Sequence, residues 1–201
     1  MVQNRTVLFL FTVITALFLA ACSNVNGNEH SNTNHGEKKT EQDKDSSNMN
    51  HKGMEGMNHS STGEVPEDLK EAENPTFKVG SHAIIHADHM EGMNGAEATI
   101  VGAYDTTVYT ISYTPTTGGD KVTNHKWIIH EEIKDASDKP YNPGDEINVE
   151  ADHMKGMKGA TAVIDSAEQT TVYMVDYTPT TGGEKVTNHK WVTEGELSAK
   201  Q

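Results

Sequence analysis

Methionine and histidine are the residues of this chain best suited to chemistry. There are nine Met and eleven His. Apart from Met1 and Met174, the Met fall into three clusters: Met49-Asn50-His51-Lys52-Gly53-Met54-Glu55-Gly56-Met57-Asn58-His59, His89-Met90-Glu91-Gly92-Met93 and His153-Met154-Lys155-Gly156-Met157. Each contains Met-x-Gly-Met beside a His. Thioether sulfur is a soft ligand and imidazole binds borderline and soft metals, so the pattern fits copper, above all Cu(I). Met has no proton to lose near neutral pH and, unlike Cys, is not captured in a disulfide in an oxidising space. Gly between the Met lets the chain turn so that two sulfurs reach one ion. Zn(II) would leave the Met unused, and Ca(II) or Mg(II) would need oxygen arrays that the sequence does not show. The expected copper ligands are Met49, His51, Met54, Met57, His59, His89, Met90, Met93, His153, Met154 and Met157. His125 and His189, which precede Lys-Trp, form a second rank, since a barrel could bring them near the His-Met turns. The plainer alternative stands beside this. Met90, Met93, Met154 and Met157 would be apolar plugs at a barrel mouth, Gly92, Gly95, Gly156 and Gly159 would serve only the turns, and the first cluster would be a solvated spacer.

Composition removes other classes. A formal net charge of −14 opposes nucleic-acid binding. One cysteine excludes an internal disulfide and a zinc site built on two or more Cys. There is no Gly-x-Ser-x-Gly elbow, no phosphate-cradling loop and no Cys nucleophile in the expected mature form, so no catalytic activity is expected.

The positioning elements begin with an address. Arg5 is followed by the apolar run Val7 to Ala21, ending in Leu19-Ala20-Ala21-Cys22. Such a stretch reads as an export signal over residues 1–21, too short for a membrane span. Its end resembles a bacterial lipobox, which implies cleavage before Cys22 and a lipid on its sulfur. Residues 22–65 read as a disordered His/Met-rich tether, too polar to offset the entropy of ordering.

An internal repeat follows. Ala87 to Ile128 matches Ala151 to Val192 at a constant offset of 64, with 29 identities in 42 pairs. Tyr-Thr-Pro-Thr-Thr-Gly-Gly recurs at 113–119 and 177–183, and Lys-Val-Thr-Asn-His-Lys-Trp at 121–127 and 185–191. The first β repeat is expected over residues 76–135 and the second over 141–197. Thr-, Val- and Tyr-rich runs predict strands at 83–85, 96–101, 106–113 and 122–129, with counterparts at 147–149, 160–164, 170–177 and 186–192. Helix should be scarce, limited to one turn in Glu67 to Glu73. Trp127 and Trp191 read as core anchors, and Tyr109, Tyr113, Tyr173 and Tyr177 as divided between core and surface. The expected architecture is all-β: two tandem homologous small SH3-like β-barrels after the tether. A single fused sandwich is the alternative.

The Ala-Asp-His-Met-x-Gly-Met-x-Gly-Ala stretch, the Tyr-Thr-Pro-Thr-Thr-Gly-Gly loop and the Asn-His-Lys-Trp ending, twice over behind a lipobox, closely resemble the YdhK family of Gram-positive lipoproteins. The resemblance covers about Phe77 to Leu197. Many members carry no assigned activity, and some, of the CopL type, are surface copper-binding lipoproteins associated with copper resistance. It implies His89, Met90, Met93, His153, Met154 and Met157 as the matching positions. The expectation is a monomeric lipoprotein anchored to the outer face of a bacterial cell membrane. It would sequester Cu(I) or pass it to a copper exporter, and would not engage nucleic acid. The alternative is a non-catalytic module binding cell wall or protein through tandem barrels, suited to multivalent contact.

Overall fold

The computed structural model describes residues 59–200. The leader, Cys22 and the expected ligands Met49, His51, Met54 and Met57 lie outside the described residues. Within them the chain is all-β. In order come β1 (Lys70–Glu71), β2 (His82–Ile85), β3 (Glu97–Tyr113), β4 (Val122–Ile129), β5 (Glu146–Asn148), β6 (Thr161–Tyr177), β7 (Val186–Thr193) and β8 (Leu197–Ala199). Short 3₁₀ turns, His130–Glu132 and Glu194–Glu196, follow β4 and β7. One antiparallel sheet runs β5-β6-β3-β2-β8, with β1 and β4 also paired to β3 and β7 to β6.

The sequence predicts two strands where β3 stands and two where β6 stands; each is a single strand of 17 residues. Gly102 to Asp105 does not end β3, because Met174, Tyr173, Val172 and Thr171 of β6 pair with those four residues in turn. Gly102 suits this because the Tyr104 ring lies over it: a Cβ there would meet that ring at 2.7 Å. The turn expected in Glu67 to Glu73 is instead the short strand β1, held by Asp105 and Tyr104.

β3 and β6 pair along almost their whole length, from Ala98 opposite Tyr177 to Tyr113 opposite Ala162. Thr106 faces Thr170, its own equivalent in the other repeat. A pseudo-two-fold axis therefore passes between these two threonines. The two register shifts, at Ile100/Gly102 and Thr110/Ile111, are related by it. A strand of 17 residues spans about 55 Å, enough to serve a different core with each half.

That is what happens. One core combines Ala83, Ile85, Met93 and Ile100 of the first repeat with Tyr173, Val175, Tyr177 and Leu197 of the second. The other combines Tyr109, Ile111, Tyr113 and Ile128 of the first with Ile147, Val149, Met157 and Ile164 of the second. The two tandem repeats make two small cores, but each core is assembled from halves of both. The sequence periodicity carried no sign of this exchange. The chain ends seal it: β8 pairs with β2, Leu197 opposite Ile85, and Ile133 bridges Val149 in the equivalent place. A third cluster, with Val108, Ile129, Val172 and Met174, buries Trp127 and Trp191. All four tyrosines are buried rather than divided. Tyr109 and Tyr113 stand four apart on one strand and so share a face, as do Tyr173 and Tyr177.

Candidate functional site

The strongest sequence motifs meet each other across the two-fold. The glycine of each Met-x-Gly-Met turn has a left-handed backbone, Gly92 at φ 72° and Gly156 at φ 80°. Gly92 O accepts from Thr180 N at 2.8 Å, and Gly156 O accepts from Thr116 N at 2.9 Å. A Cβ on Gly92 would meet Thr181 Oγ1 at 2.6 Å and Pro179 Cβ at 2.8 Å; on Gly156 it would meet Thr117 Oγ1 at 2.6 Å. Each turn thus docks onto the Thr-Pro-Thr-Thr loop of the other repeat. This close approach accounts for the glycine without reference to an ion.

The docked turns place the two methionines of each motif differently. Met93 and Met157 are fully buried, one in each core. The structure packs these two expected ligands in the cores. Met90 and Met154 are partly buried and line a cavity of about 800 Å³. The Tyr113 hydroxyl donates to Met154 Sδ at 3.8 Å. His89 and His153 also line this cavity, as do His125 and His189, so both ranks of histidine reach one place. His125 and His189 arrive through matching irregularities. β4 and β7 each shift register around them, and the preceding Asn124 and Asn188 take φ of 50° and 53°.

A fifth imidazole enters from the amino-terminal side. Ser61 N donates to Thr187 O at 3.0 Å, Thr187 N to Ser60 Oγ at 2.9 Å, and Ser61 Oγ to Asn188 O at 2.6 Å. Lys190 Nζ donates to Glu64 O. This strap ties residues 60–64, expected as the end of a disordered tether, to β7 through these hydrogen bonds and sets the expected ligand His59 in the cavity wall. Nothing in the repeat pattern pointed to it, since the strap has no second copy.

Two carboxylates complete the arrangement, and each serves the other repeat. Glu132 Oε2 accepts from Trp191 Nε1 and from Ile129 N, both at 3.1 Å, while its Oε1 lies 2.7 Å from His153 Nε2. Glu196 Oε2 accepts from Trp127 Nε1 at 2.9 Å and Thr193 N at 3.0 Å; its Oε1 lies 3.9 Å from His89 Nε2. Sequence reasoning passed over both. They stand at the repeat offset, five residues beyond each Trp, but in so acidic a chain a pair of carboxylates carried no signal.

Burial sets the electrostatics. Desolvation lowers the His89 pKa against the opposing charge of Glu196, and the Lys126 charge adds to the lowering. His189 is driven well below its ordinary value by burial and by the nearby His89, His59 and His153. His59 is lowered by burial and by His153. Burial opposes ionisation of Glu132, but His153 and the hydrogen bonds it accepts outweigh that and hold it below the usual carboxylate range. Tyr113 and Tyr177, whose rings meet His125 and His189 edge-on, are pushed up to about 12 by burial. Burial therefore biases His59, His89 and His189 toward the neutral imidazole, the form that binds metals. His89 Nε2, His153 Nδ1 and both ring nitrogens of His189 are buried without completing a hydrogen bond. Orphaned buried polar atoms are costly and call for an explanation. Among the described residues no three His, Cys, Asp or Glu side chains already converge on one point. The donors ring the cavity, His89 and His189 with ring centroids 6.0 Å apart.

A pair of tandem β repeats, interlocked about a two-fold and enclosing a histidine-lined cavity, is the class the fold defines. The family described as "Protein of unknown function (DUF1541)" matches residues 79–130 and 143–194, once per repeat, and the chain belongs to it. The uncharacterized protein YdhK of Bacillus subtilis strain 168 is 60% identical over 183 residues, covering 90% of this chain and 83% of that protein. The crystal structure of ydhK from the same organism matches with a TM-score of 0.70 and 68% identity, over 73% of this chain and 99% of that one. The solution structure of the ydhK C-terminal domain matches with a TM-score of 0.59 and 72% identity, over 62% of this chain and 94% of that one. The resemblance to the YdhK family is thereby established. The matched family description names no catalytic activity.

Proposed function

We propose that this chain is a non-catalytic, extracytoplasmic copper-binding lipoprotein. It is anchored through Cys22 to the outer face of the cell membrane and holds Cu(I) for sequestration and resistance or for transfer to a copper exporter. The observation that carries the reading is the convergence of five imidazoles and two thioethers on one cavity, from both repeats and the strap. Imidazole alone would suit several metals, but Met90 and Met154 in the same wall bias the set toward a soft ion. The cavity donors are His59, His89, Met90, His125, His153, Met154 and His189. Met93 and Met157 support the fold. Met49, His51, Met54 and Met57 would add binding in the tether.

The test is an anaerobic Cu(I) titration of residues 23–201 against a competing chelator, beside a chain starting at Pro66. Binding by both chains, reduced by Met90→Leu with Met154→Leu, is expected. Loss of binding in the shorter chain would move the copper chemistry to the tether and the strap. Binding by neither would end the reading and leave the wall- or protein-binding module in its place.

A further inference from the structure

The two carboxylates differ in what they do to the histidines they face. Glu132 is buried and ionised, and an ionised carboxylate can only accept hydrogen bonds. The 2.7 Å contact with His153 Nε2 therefore requires a proton on that nitrogen. In the neutral ring Nδ1 is then the lone-pair atom, and His153 Nδ1 is buried with no hydrogen-bond partner. His89 stands differently. Its Nε2 is buried with no hydrogen-bond partner, and Glu196 Oε1 lies 3.9 Å from it, beyond hydrogen-bond reach.

We propose that Glu132 is the positioning residue of the cavity: reaching from the first repeat to the second, it fixes His153 in the Nε2–H tautomer and presents Nδ1 as the metal-binding atom. This rests on the copper reading for the identity of the ion, but the tautomer belongs to the metal-free protein. Metal-ligating histidines are commonly oriented in this way by a carboxylate on the other ring nitrogen, and loss of such a partner typically weakens binding about 10–100-fold. The two-fold relation of the repeats thus does not extend to these contacts: of the two equivalent histidines, only His153 has its carboxylate within bonding distance.

The experiment is long-range ¹H–¹⁵N NMR of the metal-free mature chain near pH 7.5, followed by the Cu(I) competition titration. Wild type should show His153 as Nε2–H. Glu132→Gln keeps an oxygen for Trp191 and can turn its amide NH₂ toward His153 Nε2. It should move His153 to the Nδ1–H form and weaken Cu(I) binding about 10–100-fold. Glu196→Gln, the equivalent change beside Trp127, should leave the His153 tautomer as in wild type and so controls for general damage. A wild-type His153 protonated on Nδ1, or an unchanged tautomer in Glu132→Gln, overturns the proposal. So does a changed tautomer with unchanged affinity. Failure of wild type to bind Cu(I) removes the metal-positioning role together with the copper reading, and the tautomer result shows which of the two steps failed.

Discussion

Replacing Gly92 by Ala tests whether the Met-x-Gly-Met turn is a docking element between repeats. Two costs arise at this position. The first is the left-handed backbone, φ 72°, which costs an L side chain about 1–2 kcal/mol. The second is steric. The new methyl would lie 2.6 Å from Thr181 Oγ1, 2.8 Å from Pro179 Cβ and 3.2 Å from Thr180 N. The Thr181 hydroxyl can turn away, but the proline ring and backbone cannot move without lifting the loop off the turn. Overpacking of this kind costs about 1–3 kcal/mol. Gly95, three residues on, isolates the second cost, because it has φ 79° and nothing within 4 Å of its added Cβ. Gly95→Ala should therefore cost about 1–2 kcal/mol and Gly92→Ala about 2–5 kcal/mol. At about 2–4 °C per kcal/mol for a chain of this size, Tm should fall by roughly 2–8 °C and 4–20 °C respectively. The assay is thermal and urea unfolding of the metal-free protein, repeated with Gly156→Ala and Gly159→Ala as the two-fold-related pair. Equal losses for Gly92→Ala and Gly95→Ala would refute the argument and return the glycine to a role in bringing sulfurs together.

Other consequences are separately measurable. Met93→Leu with Met157→Leu should cost less than about 1.5 kcal/mol per site and leave copper stoichiometry unchanged, whereas Met90→Leu with Met154→Leu should lower it in the chelator titration. Met93→Ala should cost about 2–5 kcal/mol in urea melts, because the side chain is fully buried. Stability of the metal-free protein should fall as pH drops below about 6.5. The unfolded chain takes up protons there that native His89 and His189, with lowered pKa values, do not. The slope should approach about 1.4 kcal/mol per pH unit for each such histidine, and a flat profile between pH 7.5 and 5.5 would contradict it. Glu132 acts in a lower window: its pKa is depressed, so its contribution is present above the ordinary carboxylate pKa and is lost only as pH falls below it. Residues 141–200 alone should give no native monomer by size exclusion and near-UV circular dichroism, since every core they enter is half supplied by the first repeat.

The fold was legible in the sequence at the level of type and repetition. Runs such as Thr-Thr-Val-Tyr and Lys-Val-Thr-Asn-His-Lys-Trp announced strands, and the offset of 64 announced two equivalent units. The joining of two predicted strands into β3 was not legible, because Gly102 and Asp105 read locally as a break while the pairing that carries the strand through them lies about 70 residues away. The exchange of halves was hidden for a related reason. Identical repeats give each half two chemically equivalent partners, and only the geometry of a continuous long strand chooses between them. At the site, His89, His153, Met90 and Met154 were marked by motif, and His125 and His189 by their position before Lys-Trp. Glu132, Glu196 and the strap that carries His59 into the wall were not marked, since their roles exist only across the two-fold or along one unrepeated segment.

The exchange bears directly on what the cavity can be. A site contained in one repeat would occur twice and would survive separation of the units. This cavity draws His89 and His125 from one repeat and His153 and His189 from the other. Its carboxylates cross in both directions, Glu132 to His153 and Trp191, Glu196 to His89 and Trp127. Duplication therefore makes this cavity a composite of both repeats, not a copy of a simple one. Two-fold relation alone would make its halves equivalent. The strap on β7 and the unequal carboxylate contacts remove that equivalence, so ions entering the cavity would meet graded, not identical, sets of donors.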